Sequence, residues 1–122
     1  LDIVNRYKHP AVITLNAEDL ISDAIKLMAE NDFSQIPVRH EKRIVGALNE
    51  NHLYECVMKD PDVKNKPVKT IMQSPFPFVD STTPVTSLKN MITPQVPAVL
   101  VKDFKTDQTY IITRFDIIRA IT

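Results

Sequence analysis

The sequence predicts an α+β fold in which helices and strands are mixed and two copies of one βαββα unit follow each other. The first observation is an internal repeat: shifted by about 64 residues, Leu15 falls on Val79, and each is followed by a polar turn and a helix start. The second is the i, i+3, i+4 spacing of Ala24, Leu27 and Met28, which is typical of the buried face of a helix. The third is length, since 122 residues suffice for one compact domain with its own core.

Each repeat is expected to run strand, helix, strand, short turn, strand, helix. In the first repeat the predicted helices cover 18–30 and 50–59, and the paired strands cover 35–39 and 43–48. In the second repeat the helices cover 84–92 and 114–121, and the strands cover 98–102 and 109–112. The run Gln35-Ile36-Pro37-Val38 is matched with Gln95-Val96-Pro97-Ala98.

The predicted organisation has four parts. Residues 1–9 are an N-terminal arm, 10–59 the first repeat, 60–68 a polar connector and 69–122 the second repeat. The connector assignment rests on polar residues and two prolines, which favour loops. Because the chain opens without methionine, we expect it to be a fragment of a longer protein.

Composition excludes several classes of function. Fifteen basic side chains offset fifteen acidic ones, so nothing in the charge favours nucleic acid or an anionic membrane as a partner. No apolar run approaches the roughly 20 residues that span a bilayer. Gly46 is the only glycine, which excludes a dinucleotide fingerprint and a P-loop. Cys56 is the only cysteine, so no internal disulfide can form, and a reducing cytoplasm is the expected location.

The sequence does not predict an enzyme or a metal site. His52 and Cys56 are four residues apart, but two ligands are fewer than the three or four that zinc takes from protein. There is no nucleophile–base pair and no pair of carboxylates in a pocket pattern. A small stand-alone enzyme is therefore the least favoured interpretation.

The chain as a whole resembles a tandem pair of cystathionine-β-synthase-type (CBS) domains, also called a Bateman module. The resemblance is carried by Asn31 to Val38 (NDFSQIPV), Ile44 to Leu48 (IVGAL) and Tyr110 to Ile118 (YIITRFDII). It implies two repeats packed with pseudo-two-fold symmetry, with two clefts that can each hold an adenosyl ligand. The order of motifs is most similar to the C-terminal regulatory region of pyridoxal-phosphate-dependent cystathionine β-synthases and related cysteine-metabolism enzymes. Pyridoxal phosphate would then belong to a separate catalytic domain, and no cofactor is expected in this chain.

The family's ribose motif is a hydroxyl residue, two variable residues and an aspartate at the start of a repeat's last helix. It stands intact in the second repeat as Thr113-Arg114-Phe115-Asp116. A carboxylate can accept both ribose hydroxyls, and Thr113 can donate to a phosphate. The same spacing is also typical of a helix N-cap with an acidic partner three residues later, so both roles remain open here.

The resemblance places the adenine opposite this motif. The implied positions are Ala11, Ile13, Phe33, Ser34, Gln35 and Ile36, with Ile111 and Phe115 alongside. An adenine ring needs apolar faces and a few hydrogen bonds at its edge, and Phe33 is suited to stacking. The alternative is that Phe33, Ile13 and Ile36 are simply core residues.

The motif of the first repeat departs from the family pattern. It reads Asn49-Glu50-Asn51-His52, so histidine replaces the ribose aspartate and we expect this cleft to be empty, weak or altered. The remaining residues that the resemblance assigns to it are Phe76, Phe78, Pro97 and Ala98. Phe76 and Phe78 can equally be a packing or dimer contact.

Two functions follow. The first is a non-catalytic regulatory module that binds S-adenosylmethionine, AMP, ADP or ATP. It would control a catalytic domain of the same protein, an enzyme similar to cystathionine β-synthase. The second is a ligand-free pair of CBS domains that acts as a homodimerisation or interaction module. A homodimer is the family expectation in both.

Overall fold

The computed structural model describes residues 12–103 and 107–121. The described chain divides into two compact units, one of residues 13–75 and one of Val12 with residues 76–121. Each unit holds one βαββα repeat, so the predicted α+β fold with two repeats is confirmed. The predicted N-terminal arm and Ala11 lie outside the described residues.

The first unit is a three-stranded sheet with helices. Its elements are β1 (Leu15–Asn16), α1 (Ile21–Asn31), β2 (Gln35–His40), β3 (Arg43–Asn49) and α2 (Glu50–Lys59). The sheet order is β1-β2-β3, with β1 parallel to β2 and β2 antiparallel to β3. Ile36 and Val38, two residues apart on β2, join Ala24 and Met28 of α1 in one core, as the helical spacing predicts.

The polar segment after α2 contributes to this core. It forms two short 3₁₀ helices, Pro61–Asn65 and Val68–Thr70. Val63 and Val68 are buried among the residues of the first core. The main-chain N–H of Val68 also donates to the carbonyl of Asp19 at 2.8 Å. The segment predicted as a connector therefore fastens onto the turn that begins α1.

The second unit repeats the same order. Its elements are β4 (Phe78–Asp80), α3 (Val85–Met91), β5 (Ala98–Asp103), β6 (Gln108–Thr113) and α4 (Arg114–Ile121). The sheet order is β4-β5-β6, again one parallel and one antiparallel pair. Its core residues are Leu88, Ile92, Val99, Val101, Tyr110, Ile112 and Ile117.

The turn after the first strand is the same in both repeats. Asn16 Oδ1 accepts the N–H of Glu18 at 2.9 Å, and Asp80 Oδ1 accepts the N–H of Thr82 at 2.9 Å. Both are Asx turns, in which a short polar side chain closes the backbone two residues on. The predicted offset of about 64 residues is therefore confirmed for this part of the repeat.

The predicted match of Gln35-Ile36-Pro37-Val38 with Gln95-Val96-Pro97-Ala98 is wrong by three residues. Gln35 pairs with Asn49, the residue before α2, whereas it is Ala98 that pairs with Thr113, the residue before α4. Structurally, Gln35 therefore corresponds to Ala98.

The reason for the error is a tight turn before β5. Thr93 and Val96 exchange main-chain hydrogen bonds of 2.9 and 3.1 Å, and the Thr93 hydroxyl also accepts the Val96 N–H. Gln95 and Val96 are therefore turn residues. They resemble Gln35 and Ile36 in residue type, but they do not occupy the equivalent place in the repeat.

Candidate functional site

The most complete candidate site lies where β6 ends and α4 begins. Asp116 Oδ2 accepts the main-chain N–H of Thr113 at 2.9 Å and the Thr113 hydroxyl at 3.2 Å. Both residues are half-buried. The structure thus brings the two predicted motif residues into contact and holds a carboxylate beside a hydroxyl at a helix start.

The hydrogen bond from the Thr113 N–H is the one that the capping interpretation predicts. An acidic residue at the third helical position that bonds back to the N–H before the helix is one half of a capping box. The ligand interpretation stays compatible with it, because the same contacts fix the orientation of the carboxylate. A helix start also presents main-chain N–H groups and the positive end of the helix dipole, both of which favour anionic oxygens.

The two apolar residues predicted beside this motif lie in different surroundings. Ile111 is half-buried on β6, and Phe115 is 66% exposed in the first turn of α4. Arg114, between Thr113 and Phe115, is exposed as well. An exposed aromatic ring and a guanidinium next to the carboxylate are groups that can contact a ligand without rearrangement of the core.

In the first unit, the end of α1 positions Phe33. Asp32 adopts a left-handed conformation with φ of 54°, and the Phe33 N–H donates to the carbonyl of Met28 at 2.9 Å. This is a Schellman end, which turns the chain sharply and brings the residue after the turn back against the helix. Phe33 is consequently partly buried and packs against the first core.

Phe33 and Ser34 line a groove of about 260 Å³ that belongs to the first unit. The other six residues of its wall, which come from α1, its end and α2, were not predicted to line a groove. They are Ile25, Met28, Ala29, Asp32, Glu50 and Leu53. The groove is therefore mainly apolar, with two carboxylates among its lining residues.

The other residues predicted for adenine differ in exposure. Ile13 is 44% exposed, whereas Ile36 is completely buried in the first core, so the core interpretation applies to the Ile36 side chain. Gln35 is half-buried, and its Oε1 is shielded from solvent without a hydrogen-bond partner among the described residues. A buried acceptor of this kind usually pairs with a donor such as water or a ligand.

The altered motif of the first repeat has its own contacts. Asn49 Oδ1 accepts the N–H of His52 at 2.8 Å and so caps α2. The Asn49 amide also donates to Gln73 Oε1 at 2.8 Å, and His52 Nε2 lies 2.9 Å from the carbonyl of Ile71. In this repeat the cap comes from the residue before the helix, whereas in the second repeat it comes from the third helical residue.

Sequence reasoning missed the partners Ile71 and Gln73. The signal that could have found them is the single glycine, because a glycine inside a strand often marks a close backbone approach. A Cβ atom at Gly46 would lie 2.6 Å from Met72 Sδ and 2.9 Å from the carbonyl of Gln73. Ala47 and Gln73 exchange main-chain hydrogen bonds of 3.0 and 2.8 Å beside it.

The four remaining residues that the resemblance assigns to the cleft of the first repeat's motif all lie in the second unit and differ in exposure. Phe76 and Ala98 are buried, Pro97 is half-buried, and Phe78 is 51% exposed. Phe78 begins β4 opposite Leu100. Ala98 is the first residue of β5. Of these four residues, only Phe78 presents a large exposed apolar side chain.

Metal binding and membrane spanning find no support in residues 12–103 and 107–121. Over these ranges no three His, Cys, Asp or Glu side chains are grouped so that they could hold a metal ion. None of the helices in the same ranges combines the length and apolar character that crossing a membrane requires.

Comparison with known proteins supports the repeat assignment. The family model described as "CBS domain" matches twice, over residues 4–59 and 68–122. A search among curated proteins finds no match.

Solved structures that are similar to this chain include the following three. A CBS-domain-containing protein from Agrobacterium tumefaciens is 18% identical, with a TM-score of 0.83 over 99% of this chain and 97% of that one. A putative signal-transduction protein with CBS domains from Burkholderia ambifaria is 22% identical, with a TM-score of 0.78 over 90% and 82%. CBSX2, solved in complex with AMP, is 19% identical, with a TM-score of 0.70 over 90% and 87%.

Proposed function

The chain belongs to the CBS-domain family, and on that premise we propose that it is a non-catalytic regulatory module that binds an adenosyl compound through Thr113 and Asp116. The observation that carries the proposal is the contact between these two side chains at the start of α4. A carboxylate held by its neighbour in one orientation is a suitable acceptor for the two hydroxyls of a ribose.

AMP is the first ligand to test. The start of α4 and the exposed Arg114 favour a ligand with an anionic phosphate over one with a cationic sulfonium. CBSX2 was solved in complex with AMP, which also supports AMP as a starting point. S-adenosylmethionine is the second ligand, because it fits the resemblance to cystathionine β-synthases.

Recognition of the base is assigned in this proposal to the residues that the resemblance implies. Phe33 would stack on the adenine ring, and polar groups of Ser34 and Gln35 would contact its edge. The unpartnered Oε1 of Gln35 supports a role in hydrogen bonding. Ala11, Ile13 and Ile111 complete the proposed set of contacts.

Regulation requires more than binding. A ligand shifts an attached protein between two states only if it binds one of them more tightly than the other. The proposed target is a catalytic domain of the same protein, in the cytoplasm, and a pyridoxal-phosphate-dependent enzyme of cysteine metabolism is the specific candidate.

The binding test is calorimetry of the purified chain with AMP, ADP, ATP and S-adenosylmethionine in parallel. We expect saturable binding of at least one of them, reduced by roughly tenfold or more in Asp116→Asn, which removes the charge but keeps an acceptor for the Thr113 N–H. Absence of binding by all four ligands to the folded protein would overturn the proposal.

A matched control separates ligand contacts from helix capping. Asn49→Ala removes the cap of α2 in the first repeat, so it should lower stability while leaving affinity for the ligand unchanged. A loss of affinity in Asn49→Ala equal to that in Asp116→Asn would mean that the effect is general destabilisation.

A second candidate function is a homodimerisation module. Tyr54 and Met58 lie one turn apart on α2 and are 65% and 61% exposed, and Ile118 on α4 is 55% exposed. Exposed apolar side chains on a helix favour a protein contact. Analytical ultracentrifugation of the chain and of Tyr54→Ser with Met58→Ser tests this function, with dissociation of a dimer as the expected result.

A further inference from the structure

The first repeat uses its ligand-motif position to bind a segment of its own chain. Two side chains from the start of α2, Asn49 and His52, contact the segment of residues 71–73 at 2.8 and 2.9 Å. His52 stands where the second repeat has Asp116, and Asn49 stands where it has Thr113. Each pair is joined by an internal hydrogen bond, and the pair in the first repeat also bonds to Ile71 and Gln73.

The chemistry of these contacts fixes the hydrogen positions. The carbonyl of Ile71 can only accept, so His52 Nε2 carries the hydrogen and donates it. The Sγ atom of Cys56, 3.6 Å from the same nitrogen, consequently cannot donate its hydrogen to it. Asn49 is fixed in the same way, because its oxygen caps α2 and its amide nitrogen faces Gln73 Oε1.

The main chain of the segment is held as well. Gln73 forms a two-way antiparallel bridge with Ala47 of β3, which extends the sheet by one short edge pairing. The absence of a side chain at Gly46 permits this approach, since a Cβ there would fall within 2.9 Å of the Gln73 carbonyl. Side-chain and main-chain contacts thus converge on the same three residues.

We propose that Asn49 and His52 form an internal clasp on residues 71–73 and that this role replaces ligand binding at the motif of the first repeat. A carboxylate at position 52 would offer a ribose two acceptor oxygens, whereas the Nε2–H of His52 is a donor that is already bound to the carbonyl of Ile71. The chain would then take one ligand, through the second repeat; this part of the inference rests on the function proposed above.

The clasp is tested by amide hydrogen exchange in the chain without ligand. Glutamine places its amide nitrogen where His52 has Nε2, whereas asparagine places it about one bond short. We expect His52→Gln to keep slow exchange at Ala47 and Gln73, and His52→Asn and His52→Leu to speed it by about fivefold, the factor that one ordinary hydrogen bond contributes.

Two controls accompany this experiment. His40 is exposed at the end of β2, so His40→Asn should leave exchange at Ala47 and Gln73 unchanged. The amides of Val99 and Ile112, paired in the other sheet, should not respond to any variant at position 52. Equal exchange at Ala47 and Gln73 in wild type, His52→Gln and His52→Leu would overturn the clasp.

The ligand part has a separate readout. Calorimetry with AMP should give a stoichiometry near one in the wild type, and His52→Gln should not alter it. A stoichiometry near two would overturn the replacement of ligand binding while leaving the exchange result intact. If the wild type binds no adenosyl compound at all, the proposed function fails, whereas the exchange data still decide the clasp.

Discussion

Asp116 accepts two hydrogen bonds from Thr113 through a single carboxylate oxygen, at 2.9 Å from the main-chain N–H and 3.2 Å from the hydroxyl. The pair therefore stabilises α4 whether or not a ligand is present. We expect Asp116→Ala to lower the free energy of unfolding by about 1 kcal/mol, as loss of a helix cap usually does. Urea denaturation without ligand measures this change.

The control for this prediction is Asp116→Asn, which retains an acceptor for the Thr113 N–H and should lose less stability than the alanine variant. Because the same asparagine substitution is expected to weaken ligand binding, stability and affinity should separate in this one variant. Equal unfolding free energies for wild type and Asp116→Ala would contradict the capping role.

Gly46 is required by the close approach of residues 71–73. In Gly46→Ala the new Cβ would meet Met72 Sδ at 2.6 Å and the Gln73 carbonyl at 2.9 Å. Met72 is a flexible side chain that can move, but the carbonyl belongs to the bridge with Ala47. We expect Gly46→Ala to lower the free energy of unfolding by about 1–3 kcal/mol, the usual cost of overpacking.

A double-mutant cycle identifies the source of this cost. Met72→Ala removes the side-chain clash and leaves the carbonyl clash, so Gly46→Ala with Met72→Ala should recover only part of the loss. Full recovery would show that the bridge to Gln73 does not constrain Gly46. Chemical denaturation of the four proteins provides the measurement.

The sequence predicts most of the fold because the signals are local and occur twice. The helices predicted at 50–59 and 114–121 are observed with the same bounds as α2 and α4. The start of α1 was predicted three residues early, at Glu18, because the polar run resembles a helix start. Asp19 instead accepts the N–H of Asn16 at 2.9 Å, which closes a turn before the helix begins at Ile21.

In the candidate site, the contacts between residues close in sequence could be predicted, and the contacts between distant residues could not. Thr113 and Asp116 are three residues apart, so their contact follows from the helix itself. The bond from His52 to Ile71 joins residues 19 apart and depends on how the chain returns to β3, which no local pattern encodes. The groove beside Phe33 was missed for the same reason, since its walls come from two helices separated by a hairpin.

The end of α1 offers a stabilising substitution. Asp32 adopts φ of 54°, a conformation that glycine reaches without the steric cost of a Cβ. We expect Asp32→Gly to raise the free energy of unfolding by about 0.5 kcal/mol. Lys26→Gly, at an exposed position within α1, is the matched control and should lower it by about 0.5–1 kcal/mol. Thermal or urea denaturation of both variants measures these changes. Destabilisation by Asp32→Gly would contradict the steric cost assigned to Asp32.

The Asx turn after β4 is expected to depend on pH. The main-chain N–H of Thr82, and then its hydroxyl, donate to the carboxylate of Asp80 and hold its pKa below that of an ordinary aspartate. Because the pKa is lower in the folded than in the unfolded chain, the turn contributes stability fully above the unfolded value. That contribution is lost as the pH falls through the lowered pKa of Asp80.

The first repeat supplies the comparison, since Asn16 closes the equivalent turn without a titrating group. Asp80→Asn should therefore keep the turn and remove its share of the acid dependence. Thr82→Val removes only the hydroxyl bond, so the pKa of Asp80 should rise but stay below the ordinary value, because the main-chain N–H still donates. NMR titration of the Asp80 carboxyl in wild type and Thr82→Val measures both values. An unchanged pKa would mean that the hydroxyl bond contributes nothing, and a pKa at the ordinary value in the wild type would contradict the Asx turn as its cause.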